Sequence, residues 1–178
     1  MTRVRTWSLV ALAASGLGLA ACSSSTASPS TTAAPSATSA PASIGTIADP
    51  SAAGTFGSEP TITVPPGAPP TQLQSKDLIV GTGPAAKVGD KVTVQYVGVA
   101  YSTGKVFDAS WSRNQPFQFT LGMGQVITGW DQGVAGMQVG GRRELIIPPS
   151  LAYGSSSPGP GIAANDTLIF IVDLVKIN

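Results

Sequence analysis

Residues 106–130, VFDASWSRNQPFQFTLGMGQVITGW, constrain this chain more than any other stretch. Phe107, Trp111, Phe117, Phe119 and Trp130 fall within it, in a sequence otherwise poor in aromatics, and Asp108 and Arg113 are its only charges. Its apolar pattern changes period part-way. Phe117, Phe119 and Leu121 alternate, as on a strand with one buried face; Val126, Ile127, Trp130 and Val134 then recur at helical spacing. The spacing predicts a helix over 126–135, the only helix candidate in the chain. Gly129 and Gly133 weaken it in isolation, so packing rather than propensity must hold it.

The remaining segments read as strands. Residues 77–80 form a short apolar run ended by Gly81-Thr82-Gly83-Pro84. Residues 91–100 put Val92, Val94 and Tyr96 on one face at period two, and Ser102-Thr103-Gly104 turns the chain back into a strand over 105–108. Residues 142–147 are stopped by Pro148-Pro149. A Gly/Pro/Ser-rich loop over 150–166 leads to the longest strand, 167–177, with Leu168, Phe170, Val172 and Leu174 on one face. Thr61-Ile62-Thr63-Val64 alternates as a short edge strand would. Many strands and one short apolar helix give an α+β domain, a single sheet curled over the helix.

The N-terminal third has another character. In this 178-residue chain, Arg3 and Arg5 precede an uncharged apolar stretch over 7–20 and the sequence Leu19-Ala20-Ala21-Cys22. That order reads residues 1–21 as an export signal. The L-A-A-C ending resembles a bacterial lipobox, in which Cys22 becomes the lipidated first residue of the mature protein; an ordinary signal with an incidental Cys is the alternative. Residues 22–58 then form a lipidated Cys and a Ser/Thr/Ala/Pro-rich tether, with no charge before Asp49, too poor in apolar surface to offset its ordering entropy. As a flexible coil it spans roughly 30–36 Å. The expected location is the outer face of the cytoplasmic membrane. A net charge of +1 gives no reason to expect nucleic acid as a partner. With no His and a single Cys, the chain has neither a disulfide nor the usual zinc ligands, and no metal or cofactor is expected.

Around the central stretch lie QYVG at 95–98, GMQVGGRRELIIPP at 136–149 and LAYG at 151–154. Together, in order and almost without gaps from about Asp77 to Lys176, these lines resemble the FKBP-type peptidyl-prolyl cis/trans isomerases. The resemblance implies an antiparallel, mostly five-stranded sheet around one short helix, with a ligand pocket between them, in a domain over 59–178. It reads Tyr96, Phe107, Phe117, Val126, Ile127, Trp130 and Phe170 as the apolar pocket, with Trp130 as floor. Tyr153 and the Ile127 N–H are read as donors to a substrate carbonyl, and Ile162 as the loop residue closing one side. Asp108 is the pocket carboxylate, held by Arg113 and the Tyr96 hydroxyl. The implied partners are proline-containing unfolded or partly folded polypeptides and macrolide immunosuppressants, bound by a monomer. The sequence departs from the family pattern at Gln125, where an acidic residue is frequent, at Leu151 and Pro158, and at Ile162-Ala163-Ala164.

Taken without the resemblance, these residues have plainer readings. Phe107, Phe117, Phe119, Trp130 and Phe170 are what a core contains, Asp108 and Arg113 make a solvated pair, and Tyr153 is an exposed loop residue. Phe119 is core on either reading, and Trp111 has no assigned role. The expected activity is prolyl isomerisation; the rival is a proline-segment binding or chaperone-like module with incidental turnover. Residues 59–178 contain no His and no Cys, so no group titrates near neutrality by default to serve a nucleophilic or general-base route.

Overall fold

The computed structural model describes residues 54–178. The export signal, Cys22 and most of the tether lie outside the described residues. Six strands, β1 (Gln74–Ile79), β2 (Lys91–Ala100), β3 (Val106–Ala109), β4 (Phe117–Thr120), β5 (Arg142–Ile147) and β6 (Leu168–Ile177), form one antiparallel sheet with one short helix, α1 (Thr128–Gly133). The order is β1-β5-β6-β2-β3, with β4 also on β2. Because β6 pairs with β2 along nearly its whole length, β3 and β4 must share the other edge: Val97 lies opposite Ala109 and Val94 opposite Phe117. Six strands therefore occupy five rows, and the edge row is interrupted by residues 110–116. No helix among the described residues is long and apolar enough to cross a membrane.

Helix α1 is shorter than the spacing predicts. Ile127 is extended (φ −60°, ψ 147°) and only caps the helix. Val126 and Ile127 share its apolar spacing because they face the same interior, not because they share its hydrogen bonds. Gly129 and Gly133 are the points where α1 crosses β5. A Cβ on Gly133 would lie 2.6 Å from Leu145 Cδ2, and one on Gly129 would meet the Ile147 side chain closer still. The glycines that weaken the helix let it approach the sheet. Between them lies a core of Val92, Val94, Phe119, Leu121, Trp130, Val134, Met137, Leu145, Leu168, Val172 and Leu174, all buried.

The other face of the sheet is buried too. Val97, Val99, Ile146, Ile169 and Ile171 are each at most 2% exposed, and cross-strand partners put them on the side away from α1. Residues 54–67 lie along that side. Ser58 O accepts from Arg142 Nη2 (2.6 Å), Gly57 N–H donates to Asp173 Oδ2 (3.2 Å) and, at the far end, Tyr101 Oη donates to Pro65 O (3.0 Å). Residues 61–64, whose alternation left an edge strand open, are irregular. Ile62 and Val64 are half-buried between exposed Thr61 and Thr63, so the alternation marks a segment lying on the sheet rather than in it. Pro60, Pro65 and Pro66 lack the N–H groups a ladder needs. Beneath this strap Arg142 (0% exposed) and Asp173 (2%) form a forked ion pair at 2.5 and 2.7 Å. Glu144 is buried, and neither of its oxygens is hydrogen-bonded to a described residue.

Candidate active site

The cavity between sheet and α1 has a volume of about 270 Å³. Tyr96, Phe107, Asp108, Phe117, Gln125, Val126, Ile127, Trp130, Tyr153 and Phe170 line it. β2 supplies Tyr96, β3 Phe107 and Asp108, β4 Phe117, α1 Trp130 and β6 Phe170. Tyr96, Phe117 and Phe170 stand at 86°, 81° and 88° to the Trp130 indole, with centroids 5.1, 6.1 and 5.2 Å away. Phe107 meets Phe170 edge-on at 5.6 Å. Edge-to-face contacts at these separations are favourable and fix the rings around a shared apolar space.

The polar wall depends on the interrupted edge row. Buried Ser110 grips β2: its Oγ accepts the Tyr96 N–H (2.8 Å) and its own N–H donates to Tyr96 O (3.0 Å). A single 3-10 turn, Trp111–Arg113, follows and ends at left-handed Asn114 (φ 48°). That turn brings Arg113 back to the carboxylate five residues earlier. The Tyr96 hydroxyl donates to Asp108 Oδ2, Arg113 Nη1 donates to Asp108 Oδ1, and Arg113 Nη2 donates to Tyr96 Oη at 2.9 Å. Burial pushes the Asp108 carboxyl up, but the Tyr96 hydroxyl and the Arg113 guanidinium outweigh it and hold the group below the ordinary carboxylate value. Burial, then the hydrogen bond to Asp108, pushes the Tyr96 phenol up to about 12. Across the neutral range this wall is an anion, a phenol and a cation locked together.

Tyr153 is 39% exposed and its hydroxyl bonds to no described residue, so its O–H is free at the cavity mouth. The Ile127 N–H likewise donates to no described residue, while Ile127 O accepts from Trp130 N–H (2.9 Å) and Asp131 N–H (3.3 Å). It is one of the helix-start donors that a short helix leaves open. Two of the sequence-assigned residues do not line the cavity. Arg113 acts from behind Asp108, and half-buried Ile162 packs against the core, beside a Gly161 whose Cβ would lie 3.1 Å from Phe107 Cβ. Trp111 is half-buried, with its indole N–H enclosed and donating to no described residue. Sequence reasoning assigned no role to Gln125, which lines the cavity, or to Gly98. A Cβ on Gly98 would stand 2.7 Å from both Phe107 Cζ and Phe170 Cε1, so the absent side chain makes room for two walls. A glycine inside a strand pattern is the one signal that marked it.

A sheet curled on one short helix, with an aromatic cavity and a clamped carboxylate between them, defines the class of binding or isomerising domain. Residues 83–175 match the family described as FKBP-type peptidyl-prolyl cis-trans isomerase, and the chain belongs to it. Over 120 residues it is 59% identical to an FK506-binding protein of Streptomyces anulatus, covering 67% of this chain and 97% of that one. It is 47% identical over 118 residues to a probable FK506-binding protein of Corynebacterium glutamicum, covering 66% and 98%. Among solved structures, AtFKBP13 superposes with a TM-score of 0.55 at 39% identity, over 62% of this chain and 96% of that one. FkpA from Escherichia coli gives 0.55 at 41%, over 61% and 49%.

Proposed function

We propose that this chain accelerates cis/trans isomerisation of X-Pro bonds in exported polypeptides, by stabilising a twisted amide without covalent chemistry. Turning the bond breaks amide resonance, a barrier of about 18–20 kcal/mol. At ninety degrees the nitrogen recovers its lone pair and the C–N dipole is smaller than in the planar amide. A dry aromatic cavity therefore disfavours the planar ground state more than the twisted one, which is differential stabilisation. A thousandfold acceleration needs about 4 kcal/mol. The proline ring enters over Trp130 between Tyr96, Phe107, Phe117 and Phe170. The Ile127 N–H and the Tyr153 hydroxyl hold the flanking carbonyls, and Asp108 keeps its charge and position through Arg113 and Tyr96.

The observation that carries this reading is the walled cavity itself: three rings set nearly perpendicular to the indole, and its one carboxylate already satisfied by Tyr96 and Arg113. The FK506-binding relatives support a macrolide competing for the same space. Export and anchoring through Cys22 rest on the L-A-A-C sequence and the nearly uncharged tether that follows it, which would hold the domain outside the cytoplasmic membrane. A protease-coupled assay on a proline peptide tests the activity. Turnover well above the uncatalysed rate and abolished by FK506 is expected; FK506 binding without turnover would leave a proline-segment binding module instead.

A further inference from the structure

We propose that Asp131 is a positioning residue for the isomerase site, holding the turn between β4 and α1 in the shape that presents Val126 and the Ile127 N–H to the cavity. The inference deepens the isomerase reading and rests on it. Asp131 immediately follows the floor residue Trp130 on α1, yet its carboxylate points back along the chain. Oδ1 accepts the Gly122 N–H at 2.8 Å and Oδ2 the Gly124 N–H at 3.0 Å. One residue further out, Gln125 Oε1 accepts the Thr120 N–H at 2.8 Å. Three alternate N–H groups, from Thr120, Gly122 and Gly124, are thus tied to two side chains, and both Asp131 oxygens are used. Hydrogen bonds to an ionised acceptor are roughly twice as strong as neutral ones.

Only Gln125, Val126 and Ile127 lie between the second anchored glycine and the first residue of α1, and all three line the cavity. Ile127 is extended, so no helical hydrogen bond fixes its N–H. Its direction is set by the chain on either side: α1 after it and the Asp131-held turn before it. Gly122 and Gly124 are exposed, so in the absence of the carboxylate water replaces it and the fold loses little. What is lost is the aim of the donor, and catalytic rates are far more sensitive to misplacement than stability is.

The test compares wild type with Asp131→Ala and Asp131→Asn in the full chain, by proline-peptide turnover, FK506 titration, thermal midpoint, and the amide resonances of Gly122, Gly124 and Ile127. Asp131→Ala should lower kcat/KM and FK506 affinity by about tenfold or more, within the roughly hundredfold that a 1 Å misplacement can cost, with a thermal midpoint close to wild type and a displaced Ile127 amide. Asp131→Asn keeps one acceptor oxygen and the same volume, so it should fall between the two. If Asp131→Ala does not fold, the asparagine variant decides. Turnover and affinity within twofold of wild type, or losses that merely follow a collapsed midpoint, overturn the assignment. If wild type itself turns nothing over, the isomerase reading fails separately. The Asp131 assignment is then judged by FK506 affinity and the Ile127 amide, and it falls if neither changes.

Discussion

The forked pair under the strap makes the fold sensitive to the loss of a single side chain. Arg142 and Asp173 are 0% and 2% exposed and share bonds of 2.5 and 2.7 Å. Asp173→Ala removes the carboxylate that faces the buried guanidinium while Arg142 keeps its bond to Ser58 O; losing the counter-charge of a buried pair costs about 3–5 kcal/mol. The Gly57 N–H loses its acceptor as well, adding about 1 kcal/mol. Against a usual stability of about 5–15 kcal/mol, that is about a quarter or more of the total. For a domain of this size each kcal/mol is worth about 4 °C, so the midpoint should fall by about 16–24 °C. The double variant Arg142→Met/Asp173→Leu removes both charges. Buried pairs replaced by apolar side chains are often no less stable, so it should recover most of the loss, short by the one or two bonds that hold the strap, about 1–2 kcal/mol. Urea unfolding of wild type, Arg142→Met, Asp173→Leu and the double variant measures the coupling. A single variant within 1 kcal/mol of wild type, or a double variant no better than Asp173→Ala, would refute the argument that loss of the buried counter-charge dominates.

Glu144 should make stability fall as pH rises. Burial raises its pKa and Lys76 across the β1–β5 ladder opposes this only in part, so the native state holds the proton more tightly than the unfolded one. Its contribution is present below the unfolded value, about 4.3, and is lost as pH climbs through the raised native value. Glu144→Gln should flatten that part of the pH profile; an unchanged slope would locate the titration elsewhere. Turnover should be nearly level from roughly pH 6 to 8.5, because Asp108 is held below, and Tyr96 far above, that range. A bell-shaped profile, or a several-fold solvent deuterium effect, would show that a proton transfer limits the rate. Gly98→Ala should crowd Phe107 and Phe170, costing about 1–3 kcal/mol and lowering turnover by more than the stability loss explains; a folded variant with full activity would contradict the wall geometry. Phe107→Tyr meets the same obstruction, because its hydroxyl would extend from the Cζ already close to Gly98. Fatty-acid labelling should mark wild type and not Cys22→Ala, and label in the variant would rule out attachment at Cys22.

Period-two alternation and turn residues were enough to mark β2 and β5 to the residue and β6 within one, since those signals are local and the strands bury a whole face. The aromatic set was legible too, as residue types: Tyr96, Phe107, Phe117, Trp130 and Phe170 do converge. Residue pattern alone left open which rings are wall and which are core; the family resemblance put Phe117 in the pocket and left Phe119 in the core, as they are found. Phe117 and Phe119 alternate on the same strand, yet Phe117 is 36% exposed at the cavity and Phe119 is 2% exposed beneath Trp130. That depends on where α1 crosses the sheet, which Gly129 and Gly133 permit only through their contacts with Ile147 and Leu145. The same limit applies to residues 61–64, whose alternation is real but reports burial on one side and not a hydrogen-bonded neighbour. It applies again to Asp131 and Gly98, one a charged residue and one a glycine with no sequence mark of their partners. Local pattern fixes which side of an element is apolar, because that is written in consecutive residues. The partner that covers the side, and the few ångströms that separate a cavity wall from a packed core, arise from contacts between residues far apart in the chain, and only the folded structure brings those together.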